Sequence, residues 1–457
     1  MKSVSSLLLA LKFDRGPRGQ LLRGGIGSIG IKVASTALNL LVAIVLARLL
    51  GADGFGVYSF VFALITIMAI PAQMGLPNLI VRETSKAQSS GDWAVMKGLW
   101  RWSTLVALSM SAALMTLGAL AAWLFAAQLP ESGPTVFLWG LALLPLVALG
   151  NLRGAALRGL RHVVQGQLPE FILRPAFLIL LVLGLAFLLS TPTLTASDAM
   201  MLHALASLMA FAVGAWLLLK MRPEELKSEK ASIVQRTVWI NSAISLGMVE
   251  GMQVLGNSLD VILLGFFASP SEIGVYRVAA QFALLITVPI TALNLAIAPH
   301  VSRLFHEERH QEVQGLLRYV AAVSAICGSI AIVFMLLFGR YVLVLLFGDE
   351  YGAAYVPMII LSLGQVLIAF MGAVVTVAIM AGHEKSVAAY MTGGVVGTFL
   401  AQLLLIPILG INGAALGTVL GLFGWRMILH IKLRQWTGLD ASILSLLPCK
   451  FTTRGTV

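Results

Sequence analysis

Three polar stripes run through otherwise apolar stretches of this 457-residue chain. Ser28, Lys32, Ser35 and Asn39 are spaced 4, 3 and 4 residues apart, which puts them on one face of a helix. Glu250, Gln253, Asn257 and Asp260 are spaced 3, 4 and 3, again one face. Arg277 and Gln281 align, and Thr287, Thr291 and Asn294 continue close to that face. Cations in an apolar surround would draw in an anion, because Coulomb attraction strengthens as the dielectric falls. Carboxylates there would titrate or hold an ion; Asp260 either binds such an ion or merely ends its stripe. Two readings stay open for the stripes as a whole. They line a hydrated cavity, or their Ser, Thr, Asn and Gln side chains are polar glue between packed helices. Lys32 and Glu250 favour the cavity. Glue needs no charge, and a Lys or Arg at the centre of a membrane helix costs about 2.5–3.5 kcal/mol.

The elements that must hold these stripes are membrane helices. The chain is 59% hydrophobic and 11% charged, with mean hydropathy +0.93, against about 25% charged residues in a soluble domain. A spanning helix needs about 20 apolar residues. Twelve segments qualify: 25–47, 56–76, 103–127, 135–152, 171–190, 199–219, 238–266, 273–298, 316–338, 353–379, 386–408 and 410–431. The expected fold class is therefore an all-α polytopic membrane protein. Of the 31 Lys and Arg, 25 fall on the side that holds the two termini and alternate loops. Both termini are thus expected in the cytoplasm of a cell-membrane protein. The basic excess matches anionic membrane lipids rather than nucleic acid. Residues 1–24 carry only a short apolar run, Leu7–Leu11, which reads as an interfacial segment and not a cleaved signal.

Some motifs exclude rather than identify. Gly25-Ile-Gly27-Ser-Ile-Gly30 matches a dinucleotide fingerprint, but it opens a membrane helix instead of following a strand. The glycines read as close helix packing. Cys327 and Cys449 have no metal-ligand spacing around them. No catalytic triad, His pair or P-loop occurs. No cofactor and no enzymatic role are expected.

The stripes also repeat. Shifting the sequence by 218 residues lays Lys32, Ser35, Asn39, Gly56-Val-Tyr58 and Pro71 on Glu250, Gln253, Asn257, Gly274-Val-Tyr276 and Pro289. Over 32–71 against 250–289, 8 of 40 positions are identical without a gap. Two parallel six-helix repeats are a transporter design, with the substrate path at their interface. The expected organisation is a segment 1–24, a lobe 25–219, a linker 220–237, a lobe 238–431 and a tail 432–457. Lys32 and Glu250, equivalent under the repeat, are expected to face each other across a central cleft and to pair in one conformation. Arg174 follows Glu170 by four residues and is expected to pair with it or to serve the substrate. His203 reads as a packed histidine.

At Leu46-Ala-Arg-Leu-Leu-Gly-Ala-Asp-Gly-Phe-Gly-Val-Tyr58 the chain resembles the polysaccharide biosynthesis family of membrane proteins. These are the Wzx-type oligosaccharide flippases of the multidrug/oligosaccharidyl-lipid/polysaccharide exporter superfamily. Gly75-Leu-Pro-Asn-Leu-Ile-Val-Arg82-Glu-Thr, Leu157-Arg-Gly-Leu-Arg161 and Leu345-Leu-Phe-Gly-Asp-Glu-Tyr351 also fit, so the resemblance spans about 20–435. It implies two six-helix lobes around a V-shaped cleft, as in MATE transporters, working by alternating access. The implied substrate is a polyprenyl-pyrophosphate-linked oligosaccharide, flipped from the cytoplasmic to the outer leaflet. Its pyrophosphate would seek Lys32 and Arg277, then Arg174, with Ser35, Asn39, Gln281 and Asn294 lining the cleft. Glu250, Gln253, Asn257 and Asp260 would couple flipping to a proton or Na⁺ gradient or gate it. A glycan polymerase or ligase is the expected neighbour in the pathway, and one chain with both lobes needs no second copy. A MATE-type multidrug antiporter is the runner-up, disfavoured because the first two spans hold Lys32 and no acid. Lipid II flippases are similar but carry two extra helices. A polymerase or ligase itself is disfavoured because the longest outer loop, about 339–352, offers only Arg340, Asp349 and Glu350.

Overall fold

The computed structural model describes residues 17–124, 133–189, 194–233, 235–307 and 309–446, and these contain helices and no strand. The run Leu7–Leu11 and Cys449 lie outside the described residues. In chain order the helices are α1 (Pro17–Gln73), α2 (Leu76–Ser90), α3 (Trp93–Leu124), α4 (Gly133–Gly159), α5 (Val163–Leu168) and α6 (Arg174–Leu189). A π-helical turn, Pro169–Leu173, joins α5 to α6. Then come α7 (Ala196–Met221), α8 (Glu225–Ser228), α9 (Arg236–Phe267), α10 (Pro270–Leu285), α11 (Thr287–His306) and α12 (His310–Phe347). The last are α13 (Tyr355–Phe370), α14 (Val374–Met380), α15 (Glu384–Leu409) and α16 (Ile411–Thr437).

Among the described residues, nine helices are long and apolar enough to cross a membrane, or ten if the bent pair α10–α11 is one span. Two features separate this from the expected twelve. The first such helix runs from Gly27 to Gln73, 47 residues, and holds two expected spans. They meet at Gly51, whose φ of 66° and ψ of 178° leave the helix; glycine takes that conformation without a Cβ penalty. α9 has the length at 32 residues, but its stripe from Glu250 to Asp260 dilutes its apolarity. The tenth expected span is also interrupted. α13 stops at Phe370, Gly372 takes φ 64°, and α14 resumes. Polar residues 77–90, expected as loop, form α2, which buries Leu76, Leu79 and Ile80 on one face.

Large apolar side chains cover the outer surface. Phe187 is 86% exposed, Leu188 and Ile408 77%, Trp123 75%. Such a surface is costly in water and suits hydrocarbon. The protein is a multi-pass membrane protein.

Contacts divide the chain into two units: Met1–Leu50 with Val61–Val254, and Gly51–Phe60 with Leu255–Val457. This differs from halves split in the linker, because 238–254 of α9 pack with the first unit and 51–60 of α1 with the second. The core of the first unit joins α2, α3, α4 and α9, with Trp102 and Trp239 rings 5.6 Å apart. The core of the second joins α11, α12, α14 and α16 around Val301, Leu317, Val377 and Leu429.

Within the second unit the repeat folds onto itself. A Cβ on Gly56 would lie 1.7 Å from the Pro270 carbonyl oxygen, and one on its equivalent Gly274 would lie 2.3 Å from that of Ala52. The two equivalent segments thus cross at backbone contact. The obstructing atoms are main chain and cannot swing aside. Gly56→Ala is expected to cost about 1–3 kcal/mol of stability. Gly30→Ala, with nothing within 4 Å, should cost nothing. Thermal unfolding of the two purified variants checks the contrast.

Candidate functional site

A cavity of about 310 Å³ lies in the first unit. Its polar wall is Gln73, Asn151, Glu170, Arg174 and Glu250; Phe62, Ile65, Leu143 and Phe171 supply the apolar part. Each polar group is set by a local feature of the chain.

Glu170 sits in the π-helical turn, which begins at Pro169. Such wide turns inside helices often mark functional positions. Its carboxylate is buried at 8% exposure and holds two guanidiniums. Oε1 accepts a hydrogen bond from Arg153 Nη2 at 3.1 Å, and Oε2 lies 3.6 Å from Arg174 Nη1. Arg153 is also buried. Its Nη1 donates to the carbonyls of Ala210 and Phe211 at 3.2 and 3.1 Å. Two glycines make room for this pair. A Cβ on Gly150 would lie 2.2 Å from Glu170 Oε1, and one on Gly214 would lie 1.3 Å from Arg153 Nη1. Burying two charges is costly unless they are paired and hydrogen-bonded, and this pair is both.

The opposite wall comes from α9. Gly75 in a left-handed conformation (φ 68°) precedes α2, and a Cβ there would be 2.3 Å from the Gly247 nitrogen. This close approach seats α9 against the start of α2 and brings Glu250 to the cavity. Asn78 Nδ2 donates to Glu250 Oε2 at 3.4 Å, and Arg158 supplies the attractive charge on that carboxylate. Asn151 Nδ2 donates to Gln73 Oε1 at 2.8 Å, leaving an amide pair at the surface of the cavity.

The charges sum in a useful way. Arg153, Arg158 and Arg174 face Glu170 and Glu250, a balance of one positive charge. Arg153 and Glu170 neutralise each other deep in the wall. Arg174, which shares that carboxylate from the cavity side, is the cation left to meet a ligand. Its planar fork suits a phosphate oxygen pair, while the Gln73–Asn151 amides suit hydroxyls.

The residues singled out by the stripes are therefore distributed. Arg174 and Glu250 share the cavity, and Arg174 pairs with Glu170 as the four-residue spacing predicts. Lys32 is exposed on α1 and does not pair with Glu250 in this structure. Asn39 on the same face bonds back to its own helix, to Ser35 O at 2.8 Å and Ser35 Oγ at 3.2 Å. Gln253 and Asn257 are exposed on α9. Asp260 lies in the second unit. It accepts from Tyr276 Oη at 2.8 Å and from the Val261 nitrogen at 2.8 Å, within the field of half-buried Arg277. Gln402 Nε2 donates to Thr418 Oγ1 at 2.8 Å, which is 3.5 Å from Tyr276 Oη. Gln281 and Asn294 are half-buried, and Asn294 Oδ1 has no hydrogen-bond partner. His203 is packed, stacked on Phe62 at 5.0 Å.

Sequence reading missed Arg153, Gln73 and Asn151. The apolar run of the fourth span ends at 152 and leaves Arg153 outside it, whereas α4 continues to Gly159. The small residues Gly150 and Gly214 are the signal that marks space reserved for a large side chain.

A family model described as "Polysaccharide biosynthesis protein" matches residues 21–305. The chain is 25% identical over 414 residues to a probable low-salt glycan biosynthesis flippase, Agl15, of Haloferax volcanii, covering 90% of this chain and 82% of that one. Among solved structures it resembles an inward-facing multidrug resistance MATE family transporter of the MOP superfamily. The TM-score is 0.72 at 15% identity, covering 88% of this chain and 94% of that one. It also resembles the lipid II flippase MurJ in an inward closed conformation, with TM-score 0.71 at 12% identity, covering 92% and 90%.

Proposed function

The chain belongs to the polysaccharide biosynthesis protein family, and from that premise we propose that it is a flippase for polyprenyl-pyrophosphate-linked oligosaccharide. It moves this lipid from the cytoplasmic to the outer leaflet of the cell membrane for surface polysaccharide assembly. Transport proceeds by alternating access, with both termini in the cytoplasm, and no chemical step is catalysed. The observation that carries this reading is Arg174 at the wall of a polar and apolar cavity. The guanidinium takes the pyrophosphate and the Gln73–Asn151 amides take sugar hydroxyls. A cavity of about 310 Å³ admits the pyrophosphate and adjoining sugar, not a whole oligosaccharide.

Lys32, Ser35 and Asn39 on α1, and Arg277, Gln281 and Asn294 on α10 and α11, serve the same anion at other stages of its passage. Glu250 with Gln253 and Asn257, and Asp260 in its network with Tyr276, exchange the coupling ion. The chain works as a monomer and hands its product to a glycan polymerase or ligase.

Ligand-induced thermal stabilisation of the purified protein tests the reading. A polyprenyl-pyrophosphate oligosaccharide is expected to raise the melting temperature, and an organic cation is not. Stabilisation by the cation alone would replace this reading with a multidrug antiporter.

A further inference from the structure

The second unit holds a groove that the site above does not use. It has a volume of about 550 Å³ and lies between the ends of α13 and α16 and the 3₁₀ turn Ile443–Leu446. Its trough is apolar: Leu367 and Phe370 from α13, Phe423 and Met427 from α16, and Leu444. Ile431 and Leu444, 47% and 59% exposed, carry that apolar surface outward to the membrane face.

One end of the trough is polar. His430 is only 6% exposed, and its Nδ1 has no hydrogen-bond partner. A buried ring nitrogen without a partner carries a desolvation cost that a ligand would relieve. Arg434 stands beside it, its side chain half-exposed. Lys432 brings a second cation to the rim by donating to Gln435 Oε1 at 3.1 Å. The counter-charge is fixed in the wall. Asp440 Oδ1 accepts from Ser442 N and Oγ at 2.9 and 2.6 Å. Its two oxygens lie 3.7 Å from His430 Nε2 and 3.6 Å from Arg434 Nη1. The Asp440 backbone is pinned by two bonds with the Gln314 amide, at 2.7 and 2.8 Å. The wall is therefore preformed and does not need a ligand to fold it.

We propose that this groove binds an anionic glycerophospholipid. One acyl chain lies along Leu367, Phe370, Phe423 and Met427, and the headgroup phosphate sits at His430 and Arg434. His430 Nδ1 donates to a phosphate oxygen, and its Nε2 lies on the Asp440 side of the ring. Basic pockets between helices on the cytoplasmic side are suited to acidic headgroups, and the charge pattern of the chain assigns this end of α16 to that side. The inference stands independently of which lipid the protein transports.

Native mass spectrometry of the full-length protein in detergent tests it, titrating phosphatidylglycerol against phosphatidylcholine of matched chains. Wild type is expected to retain phosphatidylglycerol preferentially. Arg434→Gln should weaken that binding about fivefold, the size of one basic contact to an acidic lipid. Met427→Trp, which fills the trough on a membrane-facing side chain, should weaken it without altering the charge. Equal retention of the two lipids by wild type would overturn the proposal. So would unchanged phosphatidylglycerol binding in both variants, or displacement of phosphatidylglycerol by a polyprenyl-pyrophosphate oligosaccharide, which would give the groove to the transported lipid.

Discussion

Arg153→Leu is expected to lower the stability of the purified protein by about 3–5 kcal/mol, the usual result of removing one partner of a buried ion pair. The substitution strips Glu170 of its 3.1 Å donor and removes the additional donor that the helical carbonyls of Ala210 and Phe211 receive. Arg174 alone cannot replace it, since it approaches the other carboxylate oxygen at 3.6 Å. Arg153→Lys should rescue little, because a single ammonium cannot reach Glu170 and the α7 carbonyls together. Replacing both partners, Arg153→Met with Glu170→Met, should restore most of the stability, because the one charge then left without its partner, Arg174, opens onto the cavity with 24% of its side chain exposed. Melting temperatures of Arg153→Met, Glu170→Met and the double variant form the cycle. If the double variant were as unstable as the single, the loss would come from packing and not from charge.

Arg174→Gln is the complementary case, with a large effect on ligand and a small one on fold. Arg174 is the more accessible partner, with 24% of its side chain exposed against 4% for Arg153. Glu170 keeps its shorter bond to Arg153 when Arg174 is lost. Stability should therefore fall by about 1 kcal/mol or less. A charge-assisted bond to phosphate is worth about 1.5–3 kcal/mol, so affinity for the pyrophosphate-linked oligosaccharide should fall about ten- to a hundredfold. The check is the ligand concentration that gives half-maximal thermal stabilisation. An unchanged midpoint would remove Arg174 from the binding site.

The sequence made the membrane class, the internal repeat and the Glu170–Arg174 spacing legible, because each is a local or periodic signal. Apolar length does not depend on what packs against it, and a four-residue spacing on a helix implies neighbours wherever the helix lies. Arg153 was not legible. In sequence it is one more cation at the cytoplasmic end of a span, the same signal that topology produces. What distinguishes it is Gly214 on α7 and Gly150 one turn earlier on α4, and only folding brings these together. The α1 stripe shows the converse. Its spacing is sound, yet Asn39 is satisfied by Ser35 on its own helix, and periodicity cannot tell such a bond from a ligand site. The break at Gly51 falls in the gap that hydropathy leaves between 25–47 and 56–76, whereas the break at Gly372 is not legible, because 353–379 is apolar throughout and a positive φ at glycine leaves no trace in hydropathy.

Flipping in reconstituted vesicles tests the central claim most directly. The purified protein would be inserted in liposomes carrying a fluorescent polyprenyl-pyrophosphate oligosaccharide, with an impermeant quencher reporting the leaflet. Wild type is expected to move the lipid between leaflets, and Arg174→Gln, folded to the same melting temperature, to move it at least about tenfold more slowly. Equal rates for wild type, the variant and protein-free liposomes would contradict the account.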